Sequence, residues 1–159
     1  MNFRPVLINT RNKKKVGDPI RDARYAPIQD FMLSEDHTFR VDMRIDEAIS
    51  IMIDNCISGA PVLDKEGRVV GMLSEKDCLQ VLLDEAYYNN PLNDHTVADY
   101  MTEKVSIIRD DTDLLSVAKA FIESNFRVFP VLDNNNHLVG QVSRKDILKA
   151  ARKFKETTW

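Results

Sequence analysis

The sequence predicts an α/β chain made of two copies of one β-α-β-β-α unit, and three observations predict it. "GMLSEKD" at residues 71–77 returns as "GQVSRKD" at residues 140–146. One offset of 69 positions, without a gap, carries residues 28–83 onto 97–152. Along it Asp30 and Met32 fall on Asp99 and Met101, Arg40 and Asp42 on Arg109 and Asp111, and "PVLD" at 61–64 on "PVLD" at 130–133. Register held over this length marks an internal repeat. Finally, the hydrophobic pattern switches between strand and helix periods in the same order in both copies.

Each unit opens with a short apolar strand, "TFRV" at 38–41 and "VSII" at 105–108. An amphipathic helix follows. Ile45, Ala48, Ile49, Met52, Ile53 and Cys56 recur at helical spacing in the first copy, and Leu114, Val117, Ala118, Phe121 and Ile122 in the second, where Thr112 is the expected cap. A hairpin comes next. "APVLD" and "VVGMLS" flank the turn "KEG", and "FPVLD" and "HLVGQVS" flank "NNN"; Gly and Asn tolerate the positive φ such turns need. A second helix, "EKDCLQVLLDEAYY" or "RKDILKAARKFKE", closes the unit. About 60 residues cannot bury both faces of two helices, so each copy needs the other. The expected organisation is an N-terminal extension over 1–27, a first domain over 28–88, a linker over 89–96 and a second domain over 97–156. "FRPVLI" at 3–8 adds a strand or packs against a partner; the residues leave both open.

With 159 residues the chain can build an independent core. At 43% hydrophobic and 30% charged residues, with no apolar run of about 18 and no secretory leader, it reads as a soluble, cytoplasmic protein. Residues 1–27 carry seven Arg and Lys against two Asp, a local balance of +5 within a chain of −3, which leaves −8 for the remainder. A folded body of that sign argues against nucleic-acid binding, and the Lys-rich segment reads as a solvated tail. Cys56 and Cys78 are too far apart for a Cys-x-x-Cys site and read as buried thiols. His37, His95 and His137 are scattered, and "DNNNHLVG" puts Leu138 where a calcium loop needs Gly, so no metal is expected. Five glycines form neither a Walker A loop nor Gly-x-Gly-x-x-Gly, and no Gly-x-Ser-x-Gly surrounds Ser74 or Ser143. Nothing in the chain looks catalytic.

The pattern hydrophobic-Pro-Val-hydrophobic-Asp, a turn, then Val-Gly-x-hydrophobic-Ser-x-x-Asp and a helix resembles the cystathionine β-synthase (CBS) domain. Two in tandem resemble a Bateman module, here free-standing. The resemblance spans residues 28–152. It implies one cleft per domain, sheet-to-sheet packing about a pseudo-twofold axis, pairing into a homodimer, and ligands containing adenosine such as AMP, ADP or ATP. Carried over by position, the adenine contacts come from residues 33–38, Leu33 and His37 among them, with Gly59 and Ala60 in the first copy. In the second they come from residues 102–106, Thr102 and Ser106 among them, with Val128 and Phe129.

The Ser-x-x-Asp motif supports two readings. A carboxylate on the first turn of a helix, kept ionised by the helix dipole, can accept both hydroxyls of a ribose, which assigns Asp77 and Asp146 to the sugar. Ser74 and Ser143 then stand beside the free N–H groups of the helix start, suited to a phosphate. The same residues can also do no more than cap a helix. Arg127 and Arg144 give the second copy two cations where the first has Ser58 and Glu75, so the Asp146 cleft is expected to be the stronger site for a charged nucleotide. The Asp77 cleft is empty, takes a less charged ligand, or borrows Arg127. Two functional classes stay open: a ligand sensor acting on a protein effector in trans, and a nucleotide-independent dimerisation module.

Overall fold

The structure, a computed structural model, describes residues 6–7, 24–32, 37–88 and 94–156. These fall into two compact units, one built from residues 37–88 and 94–105 and the other from residues 6–7, 24–32 and 106–156. The Lys-rich run and most of the expected linker lie outside the described residues.

In the first unit, strand β2 (Phe39–Arg40) leads into helix α1 (Ile45–Asp54), followed by the hairpin β3 (Gly59–Leu63) and β4 (Val69–Ser74) and helix α2 (Glu75–Tyr88). The sheet order is β2-β3-β4, with β2 parallel to β3 and β3 antiparallel to β4. Gly67 takes φ 77° in the hairpin turn, as its residue type predicts. Alternate strand residues Ala60, Val62 and Leu73 turn to the helices and pack with Phe39, Ile45, Ala48, Met52 and Val81.

Helix α1 ends in a Schellman motif. Asn55 is its C-cap, Cys56 N–H donates to the Ile53 carbonyl at 3.2 Å, and Ile57 N–H donates to Met52 at 3.1 Å. This motif puts Cys56 at φ 53°, in the left-handed region usually given to Gly. The turn carries its side chain out to solvent, so the expectation of two buried thiols fails for Cys56, which is exposed; Cys78 is half-buried. Burial, with Asp77 and Glu75 adding to it, pushes the Cys78 thiol up to about 11. Alkylation at neutral pH is therefore expected to modify Cys56 first, with Cys78 on the order of a hundredfold slower and accelerating as pH rises toward 11. Peptide mapping by mass spectrometry checks the order.

The second unit repeats the plan: β5 (Ser106–Arg109), helix α4 (Leu114–Ile122), the hairpin β6 (Val128–Leu132) and β7 (Leu138–Ser143), and helix α5 (Arg144–Glu156). Asn136 takes φ 65° in its turn. Helix α4 is capped by Asp113, whose carboxylate accepts from Ser116 N at 2.9 Å and from Ser116 Oγ at 2.7 Å. The cap is thus one residue beyond the expected Thr112, because a carboxylate here satisfies both a backbone N–H and a hydroxyl. Asp113→Ala is expected to cost about 1 kcal/mol in urea-melt stability. A further strand, β1 (Val6–Leu7), joins this sheet parallel to β5, giving the order β1-β5-β6-β7 and resolving the open reading of "FRPVLI" toward a strand.

Each unit's core also contains a segment from the other copy of the sequence repeat. The 3-10 turn Ile28–Asp30 hydrogen-bonds to the second unit, Ile28 N–H to the Thr112 carbonyl at 2.7 Å and Gln29 N–H to Asp110 at 3.2 Å. Ile28 is fully buried there among Ile108, Leu114, Val117, Phe129 and Val131. Its counterpart, the one-turn helix α3 (Val97–Tyr100), packs on the first unit, with Val97 N–H on the Met43 carbonyl at 2.9 Å and the Val97 side chain fully buried beside Phe39 and Val81. The repeat in sequence and the packed unit in space therefore differ by about ten residues at their starts.

Candidate functional site

Each unit presents the Ser-x-x-Asp motif where its last strand meets its last helix. In the second unit Asp146 Oδ2 accepts from Ser143 N at 2.8 Å and from Ser143 Oγ at 2.7 Å, while Asp146 N–H donates back to Ser143 Oγ at 3.3 Å. The first unit matches: Asp77 Oδ2 accepts from Ser74 N at 2.8 Å and from Ser74 Oγ at 2.6 Å, and Asp77 N–H donates to Ser74 Oγ at 3.4 Å. Both are reciprocal capping boxes. The geometry amends the expectation of two free carboxylate oxygens, because Oδ2 already serves its own helix start. Oδ1 is what Asp146 has to offer, while Asp77 Oδ1 also accepts from Thr102 Oγ1 at 3.4 Å. Asp146 is only 6% exposed, and a carboxylate this buried on the first turn of a helix is held by its dipole and by these donors.

The hairpins bring further expected residues to the motif. Val128 pairs across the ladder with Ser143 and Phe129 with Val142; Gly59 pairs with Ser74 and Ala60 with Leu73. Phe129 and Ala60 are fully buried in the cores, with the Phe129 ring 4.5 Å from that of Phe121, so their side chains are taken up by packing. A Cβ on Gly59 would come within 2.9 Å of the Leu73 carbonyl, so the strand crossing there admits glycine alone without rearrangement. Ser106, at the start of β5, and His37, ahead of β2, are half-buried. Leu33 lies outside the described residues.

Two expected residues sit elsewhere than sequence position suggested. The resemblance groups Thr102 with Asp146, yet it stands beside Asp77, its Oγ1 3.4 Å from Asp77 Oδ1. The cause is a backbone bridge: Met72 N–H donates to the Thr102 carbonyl at 3.0 Å and Thr102 N–H to the Met72 carbonyl at 2.9 Å, which lays this segment along β4. The sequence offers Arg144 to a phosphate, but its Nε donates to the Phe126 carbonyl at 3.1 Å and its Nη2 to the Ser124 carbonyl at 3.3 Å. Carbonyls just past a helix C-terminus lack intrahelical donors, and the guanidinium meets that need. Arg144 thus clasps the loop that carries Arg127, which is exposed. Thr102 beside Asp77 could have been anticipated only by knowing that the start of each repeat packs on the other unit. Among the described residues no group of His, Cys, Asp and Glu could hold a metal ion, and no helix is long and apolar enough to cross a membrane.

A family model for the CBS domain matches the chain twice, over residues 28–84 and 97–153. The chain belongs to the CBS domain family. Among curated proteins, this CBS-domain chain is 26% identical to the chloroplastic CBS domain-containing protein CBSX2 of Arabidopsis thaliana, over 97% of its own length and 73% of the relative's. It is 26% identical to CBSX1 of the same plant, over 82% of its length and 66% of CBSX1, slightly under two thirds of that protein. Among solved structures, CBSX2 in complex with AMP superposes with a TM-score of 0.71 at 27% identity, covering 82% of this chain and 98% of that one. The CBS domain pair of protein MJ0100, in complex with 5-methylthioadenosine and S-adenosyl-L-methionine, gives 0.68 at 25% identity, covering 84% and 99%. The mixed α+β architecture of paired CBS domains is thereby established for this chain, and two of its structural neighbours hold adenosine compounds.

Proposed function

We propose that this CBS-domain chain is a regulatory module, not an enzyme, that binds an adenosine-containing ligand of the AMP, ADP or ATP type and signals to a protein effector in trans by changed packing. The carrying observation is the Asp146 carboxylate on the first turn of α5: Oδ2 is fixed by Ser143, and no hydrogen bond occupies Oδ1 among the described residues. A fixed anionic acceptor suits a ribose hydroxyl, with Ser143 Oγ beside it for the neighbouring one. The complexes of CBSX2 with AMP and of MJ0100 with S-adenosyl-L-methionine support the ligand class. Arg127 remains the candidate phosphate partner, and Thr102 joins the Asp77 cleft as a polar wall. A homodimer and a cytoplasmic location complete the reading.

One observation favours the alternative, a nucleotide-independent interaction module. Both motifs form complete capping boxes, so helix capping accounts for Ser74, Asp77, Ser143 and Asp146 by itself. Titration calorimetry of ligand-free protein with AMP, ADP, ATP and S-adenosylmethionine decides between them. Saturable heat with at least one of these supports the sensor; silence from all four favours the interaction module.

A further inference from the structure

Both cysteines and one methionine line a single groove of the first unit. Helices α1 and α2 border an apolar hollow of about 610 Å³, and Met52, Cys56 and Cys78 are in its wall together with Ile49, Ile57 and Leu79. Met52 and Cys56 stand one helical turn apart at the end of α1, and Cys78 comes from the first turn of α2. The Cys78 thiol donates to the Met52 thioether, with Sγ and Sδ 3.6 Å apart. Two sulfur ligands on one metal ion, at bonds of about 2.3 Å and a tetrahedral angle, lie about 3.8 Å from each other. The pair therefore has nearly the spacing of a chelate, with a proton where the ion would be. Packing does not require sulfur at these positions. At the 69-residue offset the second unit carries Phe121, Asn125 and Ile147, and Phe121 and Ile147 fill its core as hydrocarbon. The electrostatics also suit a cation. Asp77 and Glu75 add to burial in pushing the Cys78 thiol up to about 11, and carboxylates that disfavour a bare thiolate favour a positive ion bound to it.

We propose that Cys78, Met52 and Cys56 form a site for a soft monovalent metal ion, copper(I) or its redox-inert analogue silver(I). Thiolate and thioether sulfur together select copper(I), whereas a thioether is foreign to the usual zinc set of thiolate, imidazole and carboxylate. Because one ligand is a methionine, no cluster of His, Cys, Asp and Glu marks the place among the described residues. Cys78, half-buried, and Met52, buried, supply the preformed pair, and the exposed Cys56 is the third ligand, by which the ion enters. On binding, the two thiols release their protons and each sulfur donates a lone pair, with no change in oxidation state.

Anaerobic titration of the full chain with copper(I), in competition with the chromophoric chelator bicinchoninate, tests this, and circular dichroism melts confirm that each variant is folded. Wild-type protein is expected to withdraw a single copper(I) per chain, with only sulfur neighbours in copper K-edge X-ray absorption. Its affinity is expected to rise at least about tenfold per pH unit near neutrality, as the ion displaces thiol protons. Equimolar zinc(II) is expected to leave the copper in place. Cys78→Ser is expected to weaken binding by about a hundredfold or more, and Met52→Leu and Cys56→Ser by about tenfold each. Met52→Leu keeps the core volume, so its loss reports the thioether and not a cavity. The assignment is overturned if wild-type protein takes no copper(I) from the chelator, or if zinc(II) displaces it. It is equally overturned if Cys78→Ser and Met52→Leu both bind within about twofold of wild type, since the ion then rests on Cys56 alone.

Discussion

Asp146→Ala is expected to weaken binding of the adenosine ligand by about a hundredfold or more. Hydrogen bonds to a charged group contribute roughly 1.5 to 3 kcal/mol each, and every 1.4 kcal/mol is about tenfold in affinity, so losing the carboxylate's grip on one or two sugar hydroxyls reaches that range. The same change removes the acceptor for Ser143 N and Ser143 Oγ, so the apoprotein is also expected to lose about 1 to 2 kcal/mol of stability. Ser143→Ala separates the two effects. It takes away the hydroxyl that accepts from Asp146 N–H, with a cost of about 1 kcal/mol, and forfeits one neutral hydrogen bond to the sugar, about tenfold in affinity, while the carboxylate stays in place. A sensor shows comparable stability losses for the two variants but a far larger binding loss for Asp146→Ala. Calorimetry at a temperature where both are folded gives the affinities, and equal, small binding losses would contradict the assignment of Asp146 to the ribose.

Ile28→Ala is expected to destabilise the second unit by about 2 to 5 kcal/mol, the range for truncating a buried Ile to Ala where the surroundings close only partly over the hole. Ile28 is fully buried, enclosed by Phe129, Val131, Leu114 and Val117, and its backbone N–H is tied to Thr112, so the cavity has rigid walls. Val97→Ala, the equivalent change in the first unit, removes fewer methyl groups and is expected to cost less. Urea unfolding of both variants measures the difference. A loss under about 0.5 kcal/mol for Ile28→Ala, the range of a surface substitution, would mean that the segment lies loosely on the unit. A chain beginning at residue 37 is expected to lose at least as much as Ile28→Ala, since it also lacks strand β1.

Local signals served well where a period ran for several turns or a turn residue was committed. The second helices occupy 75–88 and 144–156 as read from the residues, because Ser-x-x-Asp is itself a helix start. The hairpin turns fall at Gly67 and Asn136, the residue types that accept positive φ at least cost. The cap of α4 lies one residue beyond the expected Thr112 because Thr112 and Asp113 are both good N-caps, and only the Ser116 hydroxyl, meeting the Asp113 carboxylate, separates them. Cys56 reads as a core residue because apolar helical spacing continues to it, while the chain has already turned in a Schellman motif.

The sequence by itself determined the repeat, the two hairpins, the helices that follow them, and a fixed carboxylate at the start of each last helix, all of which follow from contacts within a few residues. The tertiary structure alone decided that residues 28–30 and 97–100 complete the cores of the opposite units, that Thr102 stands beside Asp77, that Arg144 clasps carbonyls of its neighbouring loop, and that Val6–Leu7 extends the second sheet. Segments of two to four residues carry too little periodicity to name their partners. Their places are set by which buried surface remains to be covered once the larger elements have packed.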